Sequence, residues 1–321
     1  MKGLIINQFG GEEQLQIKEI AIPLPRSGEI LVRIHAAGIN PVDYKIRNGS
    51  LKFIYRGKFP CILGRDIAGV VEQAGEKSGY RPGDEVFGML SLNGGGYAEF
   101  ATVKESHLCR IPEGISMAEA AATPLASLTA FQSLQKGPRI NKGDGILING
   151  ASGGVGSFAV QIAKAMGANV TGVCSKNNIE FVQSLGADQV IDYNNEDFTR
   201  LNQKFHKVFD AVAKSSFSKC RKILKKGGIY ISTIPGKGLL FHKTFNFISK
   251  KKADFIMVRP SGNDLVLISD FIKKGLVRPR VQRAFPLEEG AQAHKLIETE
   301  RVRGKLVLSV IRDCNNNSLP E

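Results

Sequence analysis

The pattern of hydrophobic and polar positions changes twice along the chain. In the first third the period is two and the apolar runs are short. "GEILVRIHAAGIN" (Gly28–Asn40) alternates through Ile30, Val32 and Ile34, as a half-buried strand does. "DIAGVVEQAG", "GDEVFGML" and "GGYAEFATV" are further short strand candidates between Gly, Pro and Asp turns. Closely spaced strands with turn signals between them predict a compact β-barrel-like domain.

In the middle, strands alternate with helical periods. Strand candidates lie at Gly145–Asn149, Val170–Cys174, Gln189–Ile191, Val208–Val212, Ile229–Thr233 and Phe255–Val258. Val155, Phe158, Ala159, Ile162, Ala163 and Met166 fall on one helix face, and Gly167 stops that helix. A shorter helix carries Phe181, Val182 and Leu185 and ends at Gly186. Six strands alternating with helices predict a doubly wound parallel sheet. Beyond Ser261 the pattern gives one helix through Leu265, Ile268 and Ile272, another over Leu287–Thr299, and a closing strand in "GKLVLSV". These pieces cannot bury a core of their own, so they are expected to return to the first domain. The expected division is 1–124 with 262–321, and 125–261 as an inserted nucleotide-binding domain. The tail beyond Arg312 is expected to fray.

Composition narrows the setting. The 321 residues are 42% hydrophobic and include 35 glycines, scattered at turn-like places. No secretory leader and no 18-residue apolar run stands out, so no membrane span is expected. Five cysteines, far apart and without a CxxC, suit free thiols in a reducing cytoplasm. The formal charge of +14 raises the question of nucleic acid. The basic residues are spread along the chain without a basic, aromatic-rich motif, so a solvated basic surface is the expectation and nucleic-acid binding is not.

The main chemical signal is "NGASGGVGSF" (Asn149–Phe158), a GxGxxG pattern whose first glycine is Ala151. It follows a predicted strand and opens a predicted amphipathic helix, which is the context a dinucleotide site needs. Gly153 lets a pyrophosphate approach the backbone, and Gly156 lets the helix pack on the sheet. Ser152, Gly153, Gly154 and Val155 are the cofactor-binding candidates of this turn. The next strand ends in Cys174–Ser175–Lys176–Asn177, with no acid to bond a ribose 2′-hydroxyl. A hydroxyl and an ammonium there attract a 2′-phosphate, so Ser175 and Lys176 point to NADPH rather than NADH.

Together with "GINPVDYKIRNG", "FPCILGRDIAGVV", "RPGDEVFG", "LGADQVIDY" and "RGKLVLSV", this turn resembles the medium-chain dehydrogenase/reductase superfamily. The likeness runs in order through nearly the whole chain, and within the superfamily it is to the zinc-free quinone oxidoreductase group that includes zeta-crystallin. It implies an α/β fold: a GroES-like β-barrel catalytic domain plus a Rossmann domain. It also implies that zinc alcohol dehydrogenases carry a Cys at the position of Asn40, a His at that of Arg65, and a third ligand near Leu125. No Cys or His stands at any of these, so no metal is expected. Without zinc, a conjugated carbonyl is an easier acceptor than a simple alcohol or isolated carbonyl.

The resemblance places Asn40 beside nicotinamide and substrate, Thr129 against the nicotinamide, and Tyr193 near the adenosine phosphate. Tyr44 and Tyr55 are phenols that can line the pocket, although related reductases have an aromatic where this chain has Lys45. "STIPG" (Ser232–Gly236) follows the fifth strand, so the backbone at Ile234 is expected over the nicotinamide carboxamide. Lys305 is expected to approach the cofactor from the last strand. Asp43 is expected to accept backbone hydrogen bonds. The family's sixth strand pairs across a two-fold axis, which makes a homodimer the expectation. The leading reading is an NADPH-dependent reductase of quinones or other conjugated carbonyls. A narrower enone or alkenal reductase, and a non-catalytic NADPH-binding protein of crystallin-like or RNA-associated type, stay open.

Overall fold

The computed structural model describes residues 1–55, 58–244 and 249–311. The expected tail beyond Arg312 lies outside the described residues. The chain divides into two compact units: Met1–Leu125, Pro260–Val266 and the chain from Val281 form one, Ala126–Arg259 and Leu267–Arg280 the other.

In the first unit a seven-stranded sheet runs in the order Val281–Pro286, Lys305–Ser309, Glu29–Ile39, Asp66–Gln73, Glu85–Met89, Leu108–Arg110, with Phe100–Lys104 also paired to Glu29–Ile39. A small sheet joins Gln16–Glu19, Lys2–Ile6 and Cys61–Ile62. The period-two alternation puts Ile30, Val32 and Ile34 into one core with Ile67, Val71, Val86 and Val103. Gly38 sits where the helix Met117–Ala121 crosses the sheet. A Cβ there would lie 2.3 Å from the Ala121 carbonyl oxygen, so only glycine allows that approach. This is the GroES-like unit.

The second unit is the Rossmann unit, a six-stranded parallel sheet. Its spatial order is Gln189–Asp192, Asn169–Cys174, Gly145–Asn149, Phe205–Asp210, Leu224–Ser232, Lys252–Phe255. The strand order reverses beside Gly145–Asn149, and the glycine turn leaves the carboxyl end of that strand, as the rule for ligand sites in open α/β sheets requires. The turn depends on Gly150, whose φ is +81°. The helix Gly154–Ala165 follows, burying Phe158, Ala159, Ile162 and Ala163, and Gly167 at φ +87° ends it.

Three expectations about elements need correction. The fourth strand of the second unit is Phe205–Asp210 rather than Val208–Val212, and Val212 lies exposed beyond it. The sixth strand is Lys252–Phe255, three residues earlier than Phe255–Val258. Ala253 is buried there, whereas Met257 lies outside the strand and is exposed. The closing segment also holds a second strand, Val281–Pro286, parallel to Lys305–Ser309. Its Gln282 and Arg283 are exposed, which hid its alternation. The compact units part at Leu125/Ala126 and Arg259/Pro260, where the expectation was 124/125 and 261/262, and Leu267–Arg280 groups with the second unit. There the Gln161 side chain donates to the Arg278 carbonyl (3.1 Å) and accepts from its N–H (2.8 Å).

Candidate active site

The first unit gathers a buried polar cluster around Asn40. Asn40 caps the helix Pro41–Arg47, and its backbone N–H donates to Asp43 Oδ2 at 2.8 Å. That is the backbone role expected of Asp43. The Asn40 side chain is 1% exposed. Its Nδ2 donates to Asp66 Oδ2 at 2.8 Å, and its Oδ1 accepts a short bond from Lys305 Nζ. Lys305, 3% exposed, also donates to the Ile39 carbonyl at 3.0 Å and stands 3.5 Å from Asp66 Oδ2. The Leu125 N–H donates to Asp66 Oδ1 at 2.8 Å. Lys305 is thus placed by the last strand of the unit, Asn40 by a helix cap, and Asp66 by the first residue of a strand.

Burial raises the Asp66 carboxyl above the usual carboxylate range and lowers the Lys305 ammonium from its own. Their mutual attraction opposes both shifts; the bonds from Asn40 and Leu125 further oppose that of Asp66, and the nearby Asp43 that of Lys305. The distances are those of an ion pair bridged by an amide. Asn40 keeps one amide N–H beyond the bond to Asp66.

A second chain of contacts leaves Asp43. Tyr97 donates to Asp43 Oδ2 at 3.0 Å, and His294 Nε2 lies 3.4 Å from the same hydroxyl. Burial holds the Asp43 carboxyl up at about 6 and pushes the His294 imidazole down to about 3.

The positions to which the resemblance assigns zinc ligands in zinc alcohol dehydrogenases lie close together here, since Asn40 and Leu125 both bond Asp66, the neighbour of Arg65. Zinc needs three Cys, His or carboxylate donors and an open position. Asn40 and Arg65 are neither. The Arg65 guanidinium donates to the carbonyls of Ser91 (3.2 Å) and Leu90 (3.4 Å). Asp66 already neutralises an ammonium. Among the described residues no group of three or more His, Cys, Asp or Glu is placed to share a metal ion. The donor set does not fit zinc.

In the second unit the glycine turn offers backbone. Gly153 is the N-cap of Gly154–Ala165 and no side chain caps that end, so the first N–H groups of the helix face outward with its partial positive charge. Ser152, Gly153, Gly154 and Val155 are all partly exposed. The two glycines of the pattern have separate reasons. A Cβ on Gly156 would lie 2.0 Å from the Gly150 carbonyl oxygen, so the protein itself needs glycine there. A Cβ on Gly153 would meet the Gly150 oxygen only at 3.6 Å, an ordinary contact. The fold does not demand glycine at 153; an anion lying against the backbone does. The turn therefore fits a dinucleotide.

Ser175 and the exposed Lys176 follow the neighbouring strand, and Ser175 Oγ accepts from Asn178 Nδ2 at 3.1 Å. Asp192 pairs in register with Cys174, so an acid does lie on the adjacent strand end. It is turned to its own loop, accepting from the Asn194 N–H at 3.1 Å and from the Asn195 side chain at 2.8 Å. Tyr193 and Ile234 are exposed, and the Ile234 N–H donates to Ser232 Oγ at 3.3 Å. Thr129 is buried in the helix Pro124–Gln135.

The structure brings Asn40 and Lys305 together and seats Tyr44 and Tyr55 in the apolar core of the first unit, with Leu4, Ile6 and Phe285. The sequence reading did not join Asp66, Lys305 and Asn40, nor Tyr97 to Asp43. Asn40 is 26 residues from Asp66 and 265 from Lys305, so no local pattern links them. The one available signal was a lysine at the head of an otherwise apolar closing strand.

A sheet-based unit with a buried polar cluster and a Rossmann unit with an open glycine turn define a nicotinamide-dependent oxidoreductase. Residues 26–113 match the alcohol dehydrogenase GroES-like domain, and residues 185–308 the family described as zinc-binding dehydrogenase. The chain is 36% identical to the chloroplast envelope quinone oxidoreductase homolog of Arabidopsis thaliana, over 96% of this chain and 98% of that one. It is 33% identical to the NADPH-dependent alkenal/one oxidoreductase, chloroplastic, of the same plant, over 96% and 79%. The solved quinone oxidoreductase of Coxiella burnetii superposes with a TM-score of 0.87 at 32% identity, covering 97% of this chain and 99% of that one. The chain belongs to the quinone oxidoreductase group of the medium-chain dehydrogenase/reductase superfamily.

Proposed function

We propose that this protein reduces quinones or other conjugated carbonyls with NADPH and without a metal. The observation that carries this reading is the cluster of the first unit, where Lys305 supplies the buried positive charge and the zinc donors are lacking. Bound NADPH supplies a hydride. Conjugation spreads the incoming charge onto the acceptor oxygen, so the protein has to orient the acceptor and present a donor to that oxygen.

The remaining N–H of Asn40 serves as that donor, with Lys305 and Asp66 holding the amide in one orientation. Ser152, Gly153, Gly154 and Val155 hold the pyrophosphate, while Ser175 and Lys176 hold the 2′-phosphate. Thr129, Tyr193 and Ile234 complete the cofactor contacts. Tyr44 and Tyr55 sit within the apolar core cluster of the first unit, which favours a packing role over direct donation to substrate. Among the described residues no helix is long and apolar enough to cross a membrane. The cysteine pattern supports a reducing, cytoplasmic setting. Lys252–Phe255 is the end strand of the six-stranded sheet among the described residues, and with exposed Met257 beside it this position supports a homodimer built on that strand.

A narrower enone or alkenal reductase is the second reading, favoured by the likeness to the alkenal/one oxidoreductase. The deciding experiment is oxidation of NADPH by 1,4-benzoquinone and by a simple enone, each repeated with NADH. Turnover with both acceptors and a preference for NADPH of about tenfold or more, reduced in Lys176→Ala, is expected. Turnover with the enone alone selects the narrower reading. No turnover with either, despite NADPH binding, overturns both.

A further inference from the structure

The second unit holds a cavity of about 200 Å³ where the strands Gly145–Asn149 and Phe205–Asp210 begin. The cations that border it are Arg139, Lys207 and Lys226, with His206 and one acid, Asp144, beside them. That acid is already engaged. Asp144 Oδ1 lies 3.2 Å from His206 Nε2, and Oδ2 accepts from the Asn141 N–H at 2.9 Å. His206 is also fixed, with Nδ1 accepting from the Gly145 N–H at 3.0 Å and Lys225 Nζ 3.3 Å from Nε2. Among the described residues neither Arg139 nor Lys226 has an ion-pair partner.

Lys207 is the unusual member. It lies on a central strand, paired in register with Ile146 on one side and Ile229 on the other, and is 2% exposed. An ammonium has three donors. Among the described residues Lys207 uses one, in a short bond to the Lys136 carbonyl. A buried cation with spare donors is costly unless something of opposite charge joins it. The cavity beside it has two further unpaired cations and no unengaged acid.

We infer that this cavity is a binding site for a small oxyanion of the phosphate or sulfate type, held by Lys207 with Arg139 and Lys226. The site is separate from the glycine turn. The strand Gly145–Asn149 starts at the cavity and ends at the turn, roughly 13 Å away along the strand. Burial lowers the Lys207 ammonium to about 8, opposed by Asp144. An anion joining it favours the charged form, so binding draws in a proton at mildly alkaline pH. The charged and titratable groups facing Lys207 are Asp144, His206, Arg139 and Lys226.

The test titrates sulfate, which carries no titrating group in this range, into the full chain by calorimetry at about pH 8.5, in buffers of different ionisation enthalpy, with chloride keeping ionic strength fixed. Wild type is expected to bind sulfate with proton uptake. Lys207→Met, which removes a buried charge at similar volume, is expected to fold, to lose the uptake and to bind about tenfold or more weakly. Arg139→Ala, which keeps Lys207, is expected to weaken binding while retaining uptake. Sulfate held at the glycine turn instead would bind both variants like wild type and without uptake. That result, or no binding to wild type, overturns the inference.

Discussion

The two units prepare for their parts in opposite ways. The first unit buries its polar groups among partners drawn from across the chain, with nearly every donor and acceptor of Asn40, Asp66 and Lys305 in use. The second leaves an exposed turn of consecutive residues with uncapped N–H groups. One is a side-chain assembly whose charges stabilise the fold only as a set. The other is a backbone surface that the fold does not need for itself. The same kind of substitution should therefore damage stability in one and binding in the other.

The largest expected break is Lys305→Met. It leaves Asp66 buried without its cation and Asn40 without its Oδ1 donor, and should cost about 3–5 kcal/mol in urea unfolding. A loss under 1 kcal/mol would mean that the pair holds little of the first unit together. Lys305→Arg is expected to recover only part, because a planar guanidinium does not fit a site shaped for an ammonium.

The second test sharpens the view of the cluster as one charge set. Asp43, held up at about 6, binds its proton in the folded state while the unfolded chain has already released its own near the ordinary aspartate value of 3.8. Its contribution is therefore present at low pH and lost as pH rises towards about 6. His294, held down at about 3, does the reverse: the unfolded chain takes up a proton below 6.5 and the folded one does not, so its contribution is lost as pH falls. The two slopes oppose one another between about pH 4 and about 6. Asp43→Asn should remove one of the slopes opposing that of His294, so that stability rises more steeply with pH over that window, by at most about 1.4 kcal/mol per pH unit from His294. An unchanged profile, read from unfolding at three pH values, would argue that the Asp43–Tyr97–His294 chain does not titrate in this way.

The third test moves to the second unit. Gly153→Ala adds one carbon where the protein leaves room, so the melting temperature should fall by no more than the change of an N-cap residue costs, while NADPH affinity falls about tenfold or more. Gly156→Ala is its counterpart: the added carbon meets a carbonyl at 2.0 Å, and about 1–3 kcal/mol of stability should be lost. If the two variants behave alike, the separation between a glycine kept for the ligand and one kept for the fold fails.

The comparison also explains what could be read before the structure. The turn, its helix and the flanking strands are local, and the glycine spacing with the 3.6-residue period was enough to place them. The sixth strand was misplaced because apolar Phe255–Val258 continues past the point where pairing ends at Phe255. Val281–Pro286 was missed because only Phe285 in it is fully buried. The Asn40 cluster was legible only in its separate members. Its joining is set by the order of strands, with Lys305–Ser309 laid antiparallel beside Ala36–Ile39, and nothing within a few residues of either partner encodes that.

That closure has a consequence for synthesis. The strand Glu29–Ile39 leaves the ribosome long before its partner on one side, since Ala36–Ile39 pairs with Leu306–Ser309. At about 5–20 residues per second, the 265 residues between Asn40 and Lys305 take on the order of tens of seconds to make. For that time the nascent first unit has an open sheet edge and an acid without its cation, while the second unit, continuous through its six strands, is able to fold first. The last strand is thus the latch of the first unit. A truncated or stalled chain would present a finished nucleotide-binding unit beside an unfinished, aggregation-prone one.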